Sequence, residues 1–223
     1  MQGTFFVIDG TDGSGKATQT NLLVERMREE NREVETIAFP QYGQPSAGPI
    51  QEYLSGKYGG VKEINPYCGS ILYAVDRFDA SGRIRSWLSS GKQVVADRYV
   101  ASNMGHQGSK LSDPQERLAF LKWNDELEFG IFGIPKPDIN IILHVPVEIS
   151  MRLAQEQTGK KGDVQKDIHV TNEEHLRAAE ITYLEIVKQF SGFHLIECAE
   201  DGKILPREII HERIWNVVYP LLS

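Results

Sequence analysis

The 223-residue sequence predicts an α/β fold: a five-stranded parallel sheet with helices on both faces and a short lid. Three observations predict it. A short apolar run, Phe5-Phe6-Val7-Ile8, leads directly into a glycine-rich turn, and apolar residues then recur at helical spacing from Gln19 to Arg28. Four further short runs rich in Val, Ile or Phe follow at residues 35–39, 93–97, 140–145 and 194–198. Each is separated from the next by a stretch of helical character, the alternation that gives parallel strands joined by crossover helices.

The first strand runs into Gly10-Thr11-Asp12-Gly13-Ser14-Gly15-Lys16. Strand, glycine loop, Lys and helix in that order are the context of a P-loop. Gly10, Gly13 and Gly15 let backbone N–H groups turn inward around a phosphate. The helix that follows adds its free N–H groups and positive dipole end, and Lys16 adds a mobile charge. A plain turn with a surface lysine is the other reading, and the placement between strand and helix argues against it. One position departs from the pattern. Ala17 stands where a P-loop has the Ser or Thr whose hydroxyl binds Mg²⁺. Thr18 comes one residue later, rotated by about 100° on the helix. Magnesium is therefore expected to be held by substrate phosphates, water and a carboxylate from elsewhere.

The remaining elements follow in order. Residues 65–90 have few breakers and apolar residues at repeated spacing (Ile71, Tyr73, Ala74, Phe78, Ile84, Trp87, Leu88), which predicts one long helix with room for an irregular start near Gly69. Residues 114–129 form a second helix, with Ser112 or Asp113 as N-cap and Pro114 in the first turn. A helix begins at 147–155. Thr171-Asn172-Glu173-Glu174 has capping-box spacing and starts a helix to Phe190, and residues 206–218 close the chain. Between them, residues 157–170 are polar, with two glycines and Lys160, Lys161 and Lys166. Such a segment is either a mobile lid or a solvated surface loop. The whole, residues 1–223, reads as one domain.

Composition narrows the class. Apolar content of 40% and charged content of 25% are ordinary for a globular protein, and no apolar run approaches the ~20 residues needed to span a bilayer. A net charge of −7 argues against a nucleic-acid polymer as partner. It leaves room for an anionic substrate held by a local cluster of cations and amides. Cys68 and Cys198 have no metal-ligand spacing, so reduced and mostly buried thiols are expected. With strand one entered at once and no leader segment expected, the anticipated location is cytoplasmic.

The third strand ends in Asp97-Arg98-Tyr99. A strand beside the P-loop strand often ends in a carboxylate near the metal, and Asp97 fits that role, through a bound water. Arg98 falls at the carboxyl edge of the sheet, where ligands bind in open α/β folds. Its planar fork suits a second phosphate group.

With these pieces in hand, the chain resembles the thymidylate kinase family, enzymes that transfer a phosphoryl group from ATP to dTMP. The matching segments run in the family's order: Gly10 to Lys16 with the carboxylate of Asp12, then Phe39-Pro40, then Leu72-Tyr73-Ala74-Val75-Asp76-Arg77, then Asp97-Arg98-Tyr99-Val100-Ala101-Ser102-Asn103 with Gln107 beyond. The resemblance implies that Gly10, Asp12, Gly13, Ser14, Gly15, Lys16, Ala17 and Thr18 surround the ATP phosphates. It implies that Asp12 reaches the acceptor's 3′-hydroxyl and that Arg98 holds the acceptor phosphate. Tyr73 then stacks on thymine, Arg77, four residues on along the same helix face, donates to its O4, and Phe39, Pro40, Ser102, Asn103 and Gln107 line the acceptor site; without the resemblance, the spacing of Tyr73 and Arg77 reads as a core aromatic with a surface cation. Pro40 follows a cis peptide in relatives. The resemblance further implies Mg²⁺ with ATP, and a homodimer formed through helices that include the long one.

Two departures from the family pattern bear on this. Some members carry Arg after Phe39-Pro40, where this chain has Gln41 and Tyr42. A cation over the transferring phosphates comes in members from the P-loop or from the lid. Gly13 occupies the P-loop position here, and the lid offers Lys160 and Lys161, with Arg152 at its start; which of the three acts is left open. Two other functions stay beside the leading one: a related P-loop kinase for another deoxynucleotide or a nucleoside, and a nucleotide-binding protein without turnover.

Overall fold

The computed structural model describes residues 2–60, 63–158 and 173–222. Its main sheet has five parallel strands in the order β2-β3-β1-β4-β5: β1 (Phe5–Gly10), β2 (Val34–Ala38), β3 (Gln93–Asp97), β4 (Ile139–His144) and β5 (Phe193–Glu197). All five sit within two residues of the expected positions. β1 is central, pairing Phe5 with Val94 on one side and Phe6 with Ile139 on the other.

Successive side chains of a strand point to opposite faces, and the sequence of β1 is apolar at every one of its first four positions because both faces are covered. Phe5 and Val7 join a core that includes Ile84, Met104, Phe120 and Ile186; Phe6 and Ile8 join a second core with Leu23, Met27, Ile149 and Ile214. The first core is covered by α3 (Pro66–Ser89), α4 (Val100–Gly108), α5 (Pro114–Asp125) and α7 (Glu173–Gln189). The second is covered by α1 (Lys16–Glu29), α6 (Val147–Thr158) and α8 (Arg207–Val218). Burying each such side chain contributes about 1.5–3 kcal/mol.

Several expectations are refined. The long helix is regular from its first turn: the Asn65 side chain caps it by accepting from Tyr67 N–H, and Pro66 takes the position where no N–H is needed. Gly69 has a different role. A Cβ there would lie 2.7 Å from Oε1 of Gln107, so its absence lets α4 place that side chain against α3. Asp113 caps α5, and the helix expected to reach Phe129 instead passes into a π-helical segment, Glu126–Ile131. The sequence reading missed α2 (Gly48–Leu54), α4 and the hairpin of β6 (Ala199–Glu200) and β7 (Lys203–Ile204). Both thiols are free, yet only Cys198 is buried; Cys68 is exposed on the first turn of α3, which corrects the expectation of mostly buried thiols. Most of the expected lid, including Lys160, Lys161 and Lys166, and Thr171 of the capping box lie outside the described residues. Among the described residues, no helix is long and apolar enough to cross a membrane.

Candidate active site at the carboxyl edge of the sheet

The glycine loop joins β1 to α1 at the carboxyl edge of the sheet. Gly10 runs so close to β4 that a Cβ would meet the Leu143 carbonyl at 2.4 Å. Gly15, the N-cap of α1, has φ +88°, a left-handed conformation that suits glycine. With no side-chain cap at that end, the first N–H groups of α1 are left for a ligand. Lys16 lies back along the loop, its Nζ donating to the Gly10 and Thr11 carbonyls at 3.2 and 2.7 Å. Burial and the nearby Arg98 lower its pKa to about 8, against the pull of Asp12, Asp9 and Asp97. The hydroxyls of Thr11 and Ser14 are buried and have no partner among the described residues. Ala17 and Thr18 are exposed on the first turn of α1. Arg152, exposed on α6, donates to the Gly202 carbonyl of the β6–β7 turn at 3.4 Å.

Next to the loop a cavity of about 330 Å³ opens between the sheet edge, α3 and α4. Of the acceptor-site residues expected from the sequence, Asp12, Phe39, Pro40, Tyr73, Arg77, Arg98, Ser102, Asn103 and Gln107 all line it, together with Asp97. The Phe39–Pro40 peptide is cis. Tyr73 is half-buried, and its ring meets the edge of Tyr53 at a centroid distance of 6.0 Å. Gln41, where some relatives have Arg, faces away: its side chain donates to Asp76 and accepts from Arg83.

Arg98 is the electrostatic centre of this end. Its backbone is left-handed, φ +66°, rare for a residue with a Cβ. Its Nη2 donates to Asp12 at 2.5 Å, and Nη1 lies 3.5 Å from Ser102 Oγ and 3.4 Å from His106 Nε2. Burial alone would raise the Asp12 carboxyl, but Arg98, His106 and Lys16 outweigh it and hold Asp12 well below the usual carboxylate range. Asp12 is thus a permanent acceptor. The guanidinium charge of Arg98 is in turn secured against burial by the carboxylates of Asp12 and Asp9.

Sequence reasoning missed the residue that fixes this arrangement. Asp9, fully buried in β1, accepts from the backbone N–H of Gly10 and Tyr99, from Ser102 Oγ at 2.7 Å and from Tyr183 Oη at 2.9 Å. It grips Arg98 through the next peptide, and it fixes the hydroxyl beside the guanidinium. Tyr183 reaches it from α7 because Gly105 has no side chain; a Cβ there would lie 2.6 Å from the Tyr183 ring. The available signal was a lone carboxylate in an otherwise apolar strand. His106 was also missed: it lines the cavity, and its Nδ1 lies 3.3 Å from His175 Nε2 on α7.

At the other end, Arg77 is 2% exposed and pairs through both Nε and Nη2 with Glu128 at 2.5 Å. The surface position that its helical spacing alone allowed does not hold. Asp97 lines the cavity at the sheet edge, close to Arg98 and Lys16. Its Oδ1 is buried without a partner among the described residues, and burial raises its pKa despite Arg98 and Lys16.

The thymidylate kinase family model matches residues 8–209. The chain is 35% identical over 196 residues to the thymidylate kinase of Mycobacterium tuberculosis (strain CDC 1551 / Oshkosh), covering 87% of this chain and 85% of that protein. It is 28% identical to a probable thymidylate kinase of Thermococcus kodakarensis over 98% of both chains. Among solved structures, a thymidylate kinase of Candida albicans superimposes with a TM-score of 0.75 over 99% of this chain and 92% of the other; at 20% identity that likeness speaks for the fold.

Proposed function

The chain belongs to the thymidylate kinase family, and we propose how its own residues carry out the reaction. It is an enzyme that transfers the γ-phosphoryl group of ATP to dTMP, giving dTDP and ADP in the synthesis of dTTP. The observation that carries the residue assignment is the cavity beside the glycine loop. One end holds a guanidinium, Arg98, and the other an aromatic ring and a buried donor, Tyr73 and Arg77. That is the pattern a nucleoside monophosphate presents: a dianion, a sugar and a flat base with a carbonyl edge.

In this reading the loop of Gly10, Gly13, Ser14 and Gly15 cradles the ATP phosphates with Lys16; the Gly10 and Ser14 amides are spent within the protein, on Asp9 and the Thr11 carbonyl, so the amides of Gly13, Gly15 and the first turn of the helix face the anion, and Ala17 and Thr18 begin that helix beneath it. Arg98 donates to the acceptor phosphate. Asp12, kept ionised by its neighbours, accepts from the sugar 3′-hydroxyl. Tyr73 stacks on thymine and Arg77 donates to O4, while Phe39, Pro40, Ser102, Asn103 and Gln107 shape the walls. The acceptor oxygen is already an anion at neutral pH, so no strong general base is needed. The protein's work is to align donor and acceptor, exclude water and neutralise charge. Magnesium supplies further neutralisation when bound. The residues fit it: Asp97 has a buried, unpartnered oxygen at the sheet edge, and it would hold the ion through water, since position 17 offers no hydroxyl. The remaining cation comes from Lys160, Lys161 or Arg152, on or next to the segment 157–170, which acts as the lid of a single kinase domain. A single family match running from residue 8 to residue 209 is in keeping with one domain.

The location is cytoplasmic, in keeping with two free thiols, and the assembly is a homodimer. Ile71, Val75 and Phe78 form one stripe on α3, exposed by 42%, 43% and 52%, and Phe132 packs on Phe78 at 5.4 Å with Ile131 exposed beside it in sequence. A contiguous apolar stripe of this kind marks a contact surface. Light scattering on the purified protein should give twice the chain mass, and Phe78→Glu should give the monomer; a monomeric wild type refutes the dimer. The reaction itself is tested by ADP release with ATP and Mg²⁺ across nucleoside monophosphates, where dTMP is expected to be the preferred acceptor.

A further inference from the structure

The inner end of the cavity is organised by a residue that does not line it. Glu128, on the π-helical segment after α5, is fully buried. Its carboxylate takes two hydrogen bonds from Arg77, and Oε1 also accepts from Nδ2 of Asn103 at 3.2 Å and of Asn124 at 3.3 Å. The Nδ2 end of Asn103 has two more acceptors around it, the Ser70 carbonyl at 3.2 Å and Asn124 Oδ1 at 2.9 Å.

An amide nitrogen only donates and an amide oxygen only accepts. With a carboxylate and two carbonyl oxygens around one end of Asn103, that end has to be the NH₂. Turning the side chain over would set Oδ1 against the Glu128 charge. The opposite end, Oδ1, is buried and has no partner among the described residues, and Asn103 lines the cavity. An acceptor is therefore what Asn103 has to offer a ligand, beside the donor of Arg77. Thymine presents a carbonyl acceptor, O4, next to its N3–H donor. Cytosine presents an amino donor at that edge, next to a bare N3, so both partners are reversed.

We propose that Glu128 is the positioning residue that sets the polarity of the base pocket and thereby excludes cytosine. It orients Arg77 as donor and Asn103 as acceptor without touching the nucleotide. The inference rests on the reading that this cavity takes dTMP.

The test is kcat/KM for dTMP, dUMP and dCMP in the wild type, Glu128→Gln and Glu128→Asp. A site built to pair a hydrogen-bonding edge rejects a mismatched one by about 10⁴-fold, and the wild type is expected to favour dTMP over dCMP on that scale. The amide that Glu128→Gln introduces carries no charge and brings an NH₂ against Arg77 or Asn103, so the donor of Arg77 and the acceptor of Asn103 are no longer both held in place. Glu128→Gln should therefore lower the dTMP/dCMP ratio by about tenfold or more. The dTMP/dUMP ratio, which reads the methyl group, should stay unchanged. Glu128→Asp keeps a carboxylate and should keep most of the exclusion. An unchanged dTMP/dCMP ratio in a folded Glu128→Gln overturns the inference while leaving the dTMP site intact. A wild type that does not prefer dTMP overturns the reading of the site beneath it. Should circular dichroism report that Glu128→Gln does not fold, ¹⁵N-asparagine-labelled wild type decides. The Asn103 NH₂ protons, assigned by their loss in Asn103→Ala, should be slow to exchange and shift little when dTMP binds. A large shift with exposure to exchange would mean that the NH₂ faces the base, which contradicts the proposal.

Discussion

Arg98→Ala is expected to lower kcat/KM for dTMP by about 10³-fold, through a higher KM and a lower kcat together. The guanidinium is held from three sides, by Asp12, Ser102 and His106, and the peptide after it by Asp9. Its left-handed backbone, φ +66°, is maintained only because the surrounding bonds determine it. Such a group costs no reorganisation at the moment of transfer. Its loss also removes the main electrostatic counterweight to the burial of Asp12, so the contact to the sugar hydroxyl weakens as well. Arg98→Lys keeps a charge without the planar fork and should recover only part of the loss. The affinity for ATP should change far less, since the glycine loop and Lys16 remain. Steady-state kinetics with each substrate varied in turn checks this; near-wild-type kinetics in Arg98→Ala would remove Arg98 from the acceptor site.

Lys16 carries the second large effect. Lys16→Met should reduce turnover by about 10²–10³-fold, the scale seen when one preorganised donor to a developing charge is removed. The wild type should also show a pH signature. In the ligand-free loop, burial and Arg98 lower the Lys16 pKa to about 8. The ammonium is the form that attracts ATP, so kcat/KM for ATP, which reports the free enzyme, should fall as pH rises through about 8. Bound phosphates favour the charged form, so kcat should hold to higher pH. Profiles from pH ~6 to ~10 separate the two. A flat kcat/KM profile would mean that Lys16 stays fully charged in the empty loop.

What the sequence made legible was local or periodic. The strand–loop–lysine–helix unit lies within 25 consecutive residues, and the spacing between Tyr73 and Arg77 is one helical turn. The parallel strands were visible because burial on both faces leaves an uninterrupted apolar run. Short elements were harder: α2 has seven residues and α4 nine, and β6 and β7 only two each. The supporting side chains were out of reach for a different reason. Asp9 meets Tyr183 across 174 positions, and Arg77 meets Glu128 across 51. No periodicity links such partners; only the folded sheet and the close approach at Gly105 bring Tyr183 to Asp9. The spacing that placed Arg77 on one face with Tyr73 was equally compatible with a surface cation, until the carboxylate from the segment after α5 closed over it.

The acceptor panel is the most direct measurement of the central claim, that the cavity beside the glycine loop receives dTMP. ADP release would be followed with ATP and Mg²⁺ against dTMP, dUMP, dCMP, dGMP, UMP and thymidine. The account predicts a strong preference for dTMP, weak use of dCMP, and no use of thymidine, which brings no phosphate to Arg98. Preference for another nucleotide, or efficient phosphorylation of thymidine, would contradict the placement of the base at Tyr73 and Arg77 and of the phosphate at Arg98.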